Sequence, residues 1–184
     1  MIAERIQAHP LQLVEPRAET FAREIPVRAI GDLRWVRPSV FRSQYELRSV
    51  DVCIATMRMR GLFRPSATGE SADGCWAFEP VGPAPGTIVV RARDSYCDLA
   101  VFELGLSDHG GVVQLSDGRA LFLRSDFWKG RAQFQTLAGE PLLCYRFRGM
   151  LRPSSDVEIV ENGKRVPELP WLLMLGWYLI VGYL

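Results

Sequence analysis

Lysine and histidine are scarce in this 184-residue chain. Only Lys129 and Lys164 of its 22 basic residues are lysines, and the two histidines are His9 and His109. The 21 acidic residues leave a net charge of +1. Because nucleic-acid-binding domains carry a strongly basic face, this balance predicts no nucleic-acid partner.

Motifs of the common enzyme classes are also absent. The sequence contains no P-loop, no G-x-G-x-x-G, no H-E-x-x-H and no G-x-S-x-G nucleophile elbow. Ser107, Asp108 and His109 are adjacent in a predicted turn, and such neighbours rarely converge into a catalytic triad. We therefore predict that the protein is not an enzyme and uses no cofactor.

Paired cysteines are missing as well. The four cysteines are Cys53, Cys75, Cys97 and Cys144. None belongs to the C-x-x-C pairs typical of zinc sites, so we predict no metal. Their positions in apolar or alternating runs favour buried, reduced thiols in a cytoplasmic protein.

The first thirty residues show no regular period, and their start predicts that no secretory signal is present. MIAERIQAHPLQ has no basic segment followed by an apolar stretch. Pro10, Pro16 and Pro26 interrupt helices and sheet ladders. We predict an N-terminal arm over residues 1–30 and a single domain over residues 31–184.

From residue 33 onward, polar and apolar residues alternate with a period of two. The runs are 33–37, 44–48, 52–60, 75–79, 87–93, 99–104, 112–115, 120–124, 132–137, 141–148 and 157–160. Asp117-Gly118 and Asn162-Gly163 are typical hairpin turns. Segments 64–74 and 80–86 are rich in small residues or proline and indicate exposed loops. The pattern predicts a mainly β, antiparallel barrel or sandwich.

An internal repeat accompanies this alternation. Residues 57–66 read MRMRGLFRPS and residues 145–154 read YRFRGMLRPS, with six identical positions of ten and an offset of 88 (145 − 57). Both copies fall at the end of a predicted strand. The repeat favours a domain built from two related halves.

The last fifteen residues, PWLLMLGWYLIVGYL, carry no charge. As a helix they span about 22 Å, less than the ~30 Å hydrocarbon core of a bilayer. A helix that is apolar on every face must be buried on every face, and a closed sheet provides that enclosure. We predict a buried helix over residues 169–184, in which Gly176 and Gly182 allow close approach of strands. A membrane tail anchor and a central strand are the alternatives.

These features resemble the tubby C-terminal-like fold, which includes LURP-one-related and phospholipid-scramblase-like proteins. The resemblance is carried by residues 45–63 (YELRSVDVCIATMRMRGLF), 115–147 and the tail 169–184, and it covers roughly residues 33–184. It implies about twelve short strands closed around a hydrophobic C-terminal helix. It transfers no binding residue, because lysine-rich loops and cysteine-rich runs are absent from this sequence.

Two predicted strands alternate arginine with apolar residues. If Met57, Met59, Tyr145 and Phe147 face the core, the arginines between them face solvent. These arginines are Arg58, Arg60, Arg146 and Arg148. Guanidinium groups suit phosphate and carboxylate, so we predict an anionic-ligand site on the outer barrel wall. The alternative is a solvated wall whose arginines pair with nearby acids.

Phe127 and Trp128 stand next to Lys129 and Arg131. Adjacent strand residues face opposite ways, so one ring is expected at the surface as a partner or membrane contact. The overall prediction is a non-enzymatic cytoplasmic binding domain, with an anionic lipid, a membrane surface or a small ligand as its partner. A tail-anchored protein and an enzyme with an unmarked active site are the alternatives.

Overall fold

The computed structural model describes residues 26–27, 31–39, 43–61, 63–82, 86–93, 95, 97–105, 110–126, 128–149 and 152–183. The predicted arm therefore lies outside the described residues, apart from Pro26 and Val27. Val27 is buried, and its backbone N–H donates to Asp73 Oδ2 at 3.1 Å. His9, His109 and Phe127 also lie outside the described residues.

Twelve strands and two helices make up the described fold. They are β1 (Leu33–Val36), β2 (Gln44–Ser49), β3 (Val52–Arg60), β4 (Ser66–Ser71), β5 (Gly74–Pro80), β6 (Thr87–Ala92), β7 (Asp98–Leu104), β8 (Gly111–Leu115), β9 (Ala120–Asp126), β10 (Arg131–Thr136), β11 (Pro141–Arg148), β12 (Ser154–Ile159), α1 (Glu161–Lys164) and α2 (Leu169–Gly182). Each strand pairs antiparallel with the next, and β1 pairs with β12 to close the barrel. The predicted mainly β barrel is confirmed.

Helix α2 lies inside the barrel, as the uncharged tail predicts. Every residue from Leu169 to Ile180 is buried. Trp177 of α2 stacks on Trp35 of β1 with ring centroids 5.8 Å apart. Tyr178 donates its hydroxyl to the carbonyl of Pro65 at 2.6 Å. The apolar helix therefore forms the core on which the inward faces of the strands pack.

In the part of the chain that the structure describes, no helix combines the length and the apolar character needed to cross a bilayer.

Strand β4 corrects one prediction. Segment 64–74, read as an exposed loop from its small residues, contains a complete strand. Its inward residues include Gly69, where a Cβ atom would lie 2.2 Å from Met174 Sδ of α2. The segment is rich in small residues because α2 packs closely against it, and not because it is exposed.

Asn162-Gly163, predicted as a hairpin turn, instead lies in the short helix α1. A Cβ at Gly163 would come within 2.0 Å of the Leu142 carbonyl oxygen, so the glycine lets α1 pack on β11. The Asp117-Gly118 turn does connect β8 to β9 as predicted.

The repeat has a shorter period than the expected two halves. Strands β2, β6 and β10 begin at residues 44, 87 and 131, and β4, β8 and β12 begin at 66, 111 and 154. The period is therefore about 44 residues, half of the 88-residue offset. The chain consists of three related four-strand modules, β1–β4, β5–β8 and β9–β12.

A β-bulge occurs at the same place in each module. The register shifts at Leu47/Arg48, at Val90/Arg91 and at Phe134/Gln135, always between the second and third strands. A bulge adds one residue and increases local twist, which helps a sheet to curve into a closed barrel.

Candidate functional site

The two ends of the barrel carry opposite charge. We call the end where β3 meets β4 and β11 meets β12 the basic end, and the opposite end the acidic end. In loops and strand termini, the described residues of the basic end include seven basic residues and one acidic residue. They are Arg37, Arg60, Arg64, Lys129, Arg131, Arg148 and Arg152, with Asp126.

At the acidic end the described residues include eight acidic and four basic residues. They are Asp32, Asp51, Asp73, Asp98, Asp117, Glu140, Glu161 and Glu168, with Arg93, Arg119, Lys164 and Arg165. A nearly neutral chain is therefore strongly polarised along the barrel axis.

Helix α2 is oriented against this polarity, with its C-terminus at the basic end. A helix terminus carries roughly half an elementary charge, positive at the N-terminus and negative at the C-terminus. The charged side chains thus offset the helix dipole. Six surplus charges at the basic end, seven basic minus one acidic, greatly exceed that half charge. Dipole compensation accounts for only a small part of the polarity.

Two large aromatic rings are exposed at the basic end. Phe63, in the loop between β3 and β4, is 98% exposed, and Trp128, in the loop between β9 and β10, is 91% exposed. The prediction that a ring of the Phe127-Trp128 pair reaches the surface is confirmed for Trp128. Exposed aromatic rings beside basic residues are typical of surfaces that contact a membrane or a partner.

A concave site, which we call the end pocket, opens at the basic end. Its volume is about 590 Å³, within the ~300–1,000 Å³ typical of ligand sites. It is lined by Arg37, Tyr45, Trp128, Lys129, Gly130, Phe147, Arg148, Gly149, Pro153, Ile180 and Val181. Of these described lining residues, three are basic and none is acidic.

The carboxylates that pair with Lys129 and Arg148 lie outside the end pocket. Arg37 lies over the Tyr45 ring at 5.9 Å. Lys129 pairs with Asp126 at 2.9 Å. Arg148 pairs with Asp156 at 2.5 Å, and Asp156 also accepts from Arg34 at 2.6 Å. Arg34 and Arg148 thus share one carboxylate, and the described residues that line the pocket include no acid.

The four predicted ligand-binding arginines all face solvent. Arg58 and Arg60 lie on β3, whereas Arg146 and Arg148 lie on β11. The structure does not bring the two pairs together, because β2, β1 and β12 separate them. Four strand intervals correspond to about 19 Å around the wall.

A larger groove on the outer wall is electrically balanced. It has a volume of about 960 Å³ and extends over β1, β2, β11 and β12. Its cations are Arg34, Arg48, Arg146 and Lys164, and each pairs with an acid. Asp32, Asp156 and Glu158 also line this groove, which matches the alternative of a solvated wall with paired arginines. The end pocket, whose described lining includes no acid, is the better anion site.

Among the described residues, the cysteines and carboxylates form neither a metal site nor a disulfide. No group of three described His, Cys, Asp or Glu residues is placed to hold a metal ion. None of the four cysteines forms a disulfide. Cys97 is exposed and the other three are half-buried, which corrects the prediction of buried thiols. Burial raises the pKa of Cys144, assisted by Glu158. Burial likewise raises the pKa of Cys53 to about 11.

Sequence reasoning identified some residues of the end pocket and missed others. It singled out Trp128 and Lys129, and it placed Arg148 on the outer wall. It missed Arg37 of the end pocket and Phe63, which lies elsewhere at the basic end. The available signal in the sequence was the repeated Arg-Pro-Ser motif. Each copy follows a glycine with positive φ, Gly61 or Gly149, and both copies lie at the basic end.

No family model, curated protein or solved structure matches this chain.

Proposed function

We propose that this protein is a non-enzymatic binding domain that docks through its basic end onto membranes containing anionic lipid. One observation carries the proposal. The end with seven basic residues and one acidic residue is also the end that exposes the rings of Phe63 and Trp128. Cationic and aromatic side chains provide the two attractions that bind proteins to an anionic bilayer surface.

The magnitudes support docking by this end. A basic side chain near an anionic membrane contributes about 1 kcal/mol, screened beyond a Debye length. Burying a Phe side chain contributes about 1.5–3 kcal/mol. Six surplus charges and two rings are therefore sufficient for reversible peripheral binding. The acidic end would be repelled from the same surface, which fixes the orientation of the barrel.

The architecture supports a tubby-like relation as part of this proposal. A closed barrel of twelve strands around a C-terminal helix is the arrangement that the sequence resemblance implies. Because α2 fills the interior, a ligand site has to lie on the wall or at an end. The proposal moves the anion-binding surface from the outer wall to the basic end, where the cations exceed the acids.

Vesicle sedimentation tests the proposal with two matched triple variants. The first, Arg64→Gln/Lys129→Gln/Arg152→Gln, neutralises the basic end. The second, Arg93→Gln/Lys164→Gln/Arg165→Gln, removes the same charge from the acidic end. Vesicles are made of phosphatidylcholine alone or of phosphatidylcholine with 30% phosphatidylserine, a composition chosen to give a negative surface potential.

We expect the unmodified protein to sediment only with the anionic vesicles, and less at high salt. The basic-end variant should bind on the order of 100-fold more weakly, at about 1 kcal/mol per lost charge. The acidic-end variant should bind at least as well as the unmodified protein. Equal loss in both variants would mean that net charge alone matters, and binding to neutral vesicles without salt dependence would also contradict the proposal.

A further inference from the structure

We infer that the end pocket is a site for a single anionic amphiphile, a molecule that joins a phosphate or carboxylate to an apolar body. The inference rests on the proposed function for its choice of ligand. It goes further, because general attraction of a basic end to a membrane requires no pocket. The pocket instead provides one defined place on the protein that holds a single lipid molecule.

The floor of the end pocket is apolar. Ile180 and Val181, at the C-terminal end of α2, contribute aliphatic surface, and the Phe147 ring packs against the same core. Tyr45 is buried and contacts Trp177 edge-on, with ring centroids 5.7 Å apart. These side chains are held by the barrel and the helix, so the floor is rigid. It suits an alkyl or acyl segment.

Its rim is cationic. Arg37, Lys129 and Arg148 reach the pocket from three different connections, after β1, after β9 and at the end of β11. Guanidinium and ammonium groups that converge on one cavity provide charge-assisted hydrogen bonds to phosphate or carboxylate oxygens. The three cationic side chains, with no acid among the described lining residues, outweigh the partial negative charge of about half an elementary charge at the C-terminus of α2. An anion is therefore favoured at the rim and an apolar group at the floor.

Trp128 provides a direct signal for occupation of the pocket. It is 91% exposed, whereas Trp35, Trp76, Trp171 and Trp177 are each no more than 7% exposed. Acrylamide quenching of tryptophan emission in the folded protein therefore reports mainly on Trp128. A ligand in the pocket covers this ring, so binding should decrease quenching and shift its emission to shorter wavelength.

The test uses short-chain lipids as monomers, below their critical micelle concentrations, so that no bilayer is present. The probes are dihexanoyl phosphatidylserine, zwitterionic dihexanoyl phosphatidylcholine and inorganic phosphate. Calorimetry gives stoichiometry, and Trp128 emission gives the location. We expect saturable binding of one phosphatidylserine per chain. Phosphatidylcholine should bind at least about tenfold more weakly, because it lacks the serine carboxylate and has no net negative charge to meet the cationic rim. Inorganic phosphate should not protect Trp128.

Two single variants separate the pocket from the rest of the basic end. Lys129→Gln removes a rim cation whose side chain is 72% exposed, so folding should be unaffected. Arg64→Gln removes the same charge from the loop between β3 and β4, outside the pocket. Loss of a charge-assisted bond should weaken binding of the monomeric lipid about tenfold in Lys129→Gln. The affinity of Arg64→Gln for the monomeric lipid should stay within about twofold of that of the unmodified protein, because a distant and screened charge contributes little.

The outcomes distinguish this inference from the proposed function. If anionic vesicles bind but no short-chain anionic lipid saturates, the end-pocket site is overturned and membrane docking stands. If the monomer saturates and vesicles do not bind, docking is overturned and the pocket stands. Equal effects of Lys129→Gln and Arg64→Gln on the monomer, or equal binding of inorganic phosphate, would also overturn the assignment of a single amphiphile to the pocket.

Discussion

Gly176 of α2 lies against the ring of Tyr145, so close that a Cβ atom at residue 176 would come within 2.4 Å of the tyrosine hydroxyl oxygen. The hydroxyl donates to the carbonyl of Leu173 at 2.9 Å. Burial raises the pKa of Tyr145 well above its ordinary value, so the phenol stays protonated as a donor. This contact fixes the position of the helix against β11.

Gly176→Ala should destabilise the protein by about 1–3 kcal/mol, because an overpacked core has to shift. The matched control is Gly182→Ala at the other glycine of α2. There a Cβ would meet Met59 Cε and Pro65 Cγ at 3.3 Å, a contact that a flexible methionine can relieve. Urea denaturation should show a lower midpoint only for Gly176→Ala. Equal stability of the two variants would contradict the tight contact at Tyr145.

Removing residues 170–184 should abolish folding. The deletion eliminates eleven buried residues, from Pro170 to Ile180. Each large apolar residue lost from a core costs about 2–5 kcal/mol, and the whole domain has only about 5–15 kcal/mol. Circular dichroism should show no cooperative melting transition. A truncated protein that melts cooperatively would mean that the helix is dispensable to the core.

The rate of thiol modification should differ between Cys53 and Cys97. Burial, assisted by the nearby Glu46, raises the pKa of Cys53 to about 11, so only about 0.1% is thiolate at pH 8. Cys97 is exposed. Mass spectrometry after iodoacetamide treatment should find Cys97 modified first, and the rate at Cys53 should rise about tenfold per pH unit up to pH 10.

Cys97→Ser should remove the fast phase of modification and leave the rate of modification at Cys53 unchanged. Folding raises the pKa of the Cys53 thiol above its unfolded value of about 9. The contribution of this thiol to the free energy of unfolding is therefore lost as pH rises from that value through the folded pKa. Equal modification of Cys53 and Cys97 at pH 8 would contradict the burial of Cys53.

Asp156→Asn should strengthen binding to anionic vesicles. Partial burial raises the pKa of Asp156, but hydrogen bonds from Arg34 and Arg148 outweigh it and keep the pKa below its ordinary value. Without the carboxylate, both guanidinium groups are uncompensated. Affinity should rise about fivefold, at roughly 1 kcal/mol per charge. Weaker binding in vesicle sedimentation would argue against electrostatic docking.

The stability of Asp156→Asn should fall by no more than about 1 kcal/mol, since the ion pairs are partly exposed. Because folding lowers the pKa of Asp156, the native carboxylate stabilises the fold above the unfolded pKa of about 4. That contribution is lost as pH falls through the folded value. The difference in unfolding free energy between Asp156→Asn and the native protein should therefore disappear when urea denaturation is measured at acid pH.

Much of the fold could be predicted from the sequence. Strands β3 and β11 have the predicted bounds, and the other predicted runs match strands to within a few residues. These runs alternate because one face of each strand is turned into the barrel interior, which α2 fills. Strand β4 was missed, since Ala67 and Gly69 are small where the helix passes close, and small residues carry no hydrophobic period.

The candidate site was less predictable. Alternation correctly placed Arg146 and Arg148 at the solvent side of the barrel. It could not reveal that Arg148 shares a pocket with Arg37 and Lys129, because these residues lie in three separate segments of the chain. Convergence of distant residues depends on strand order and closure, and local patterns contain neither.

The sequence by itself determined eleven of the twelve strands, the turn at Asp117-Gly118 and the burial of the tail, because each depends on local periodicity or on an apolar surface that water excludes. Tertiary structure alone decided the three-module period, the separation of the arginine pairs and the basic end. In an antiparallel barrel alternate connections lie at opposite ends, so charges that are mixed along the chain separate in space. The net charge of +1 contained no sign of that polarity.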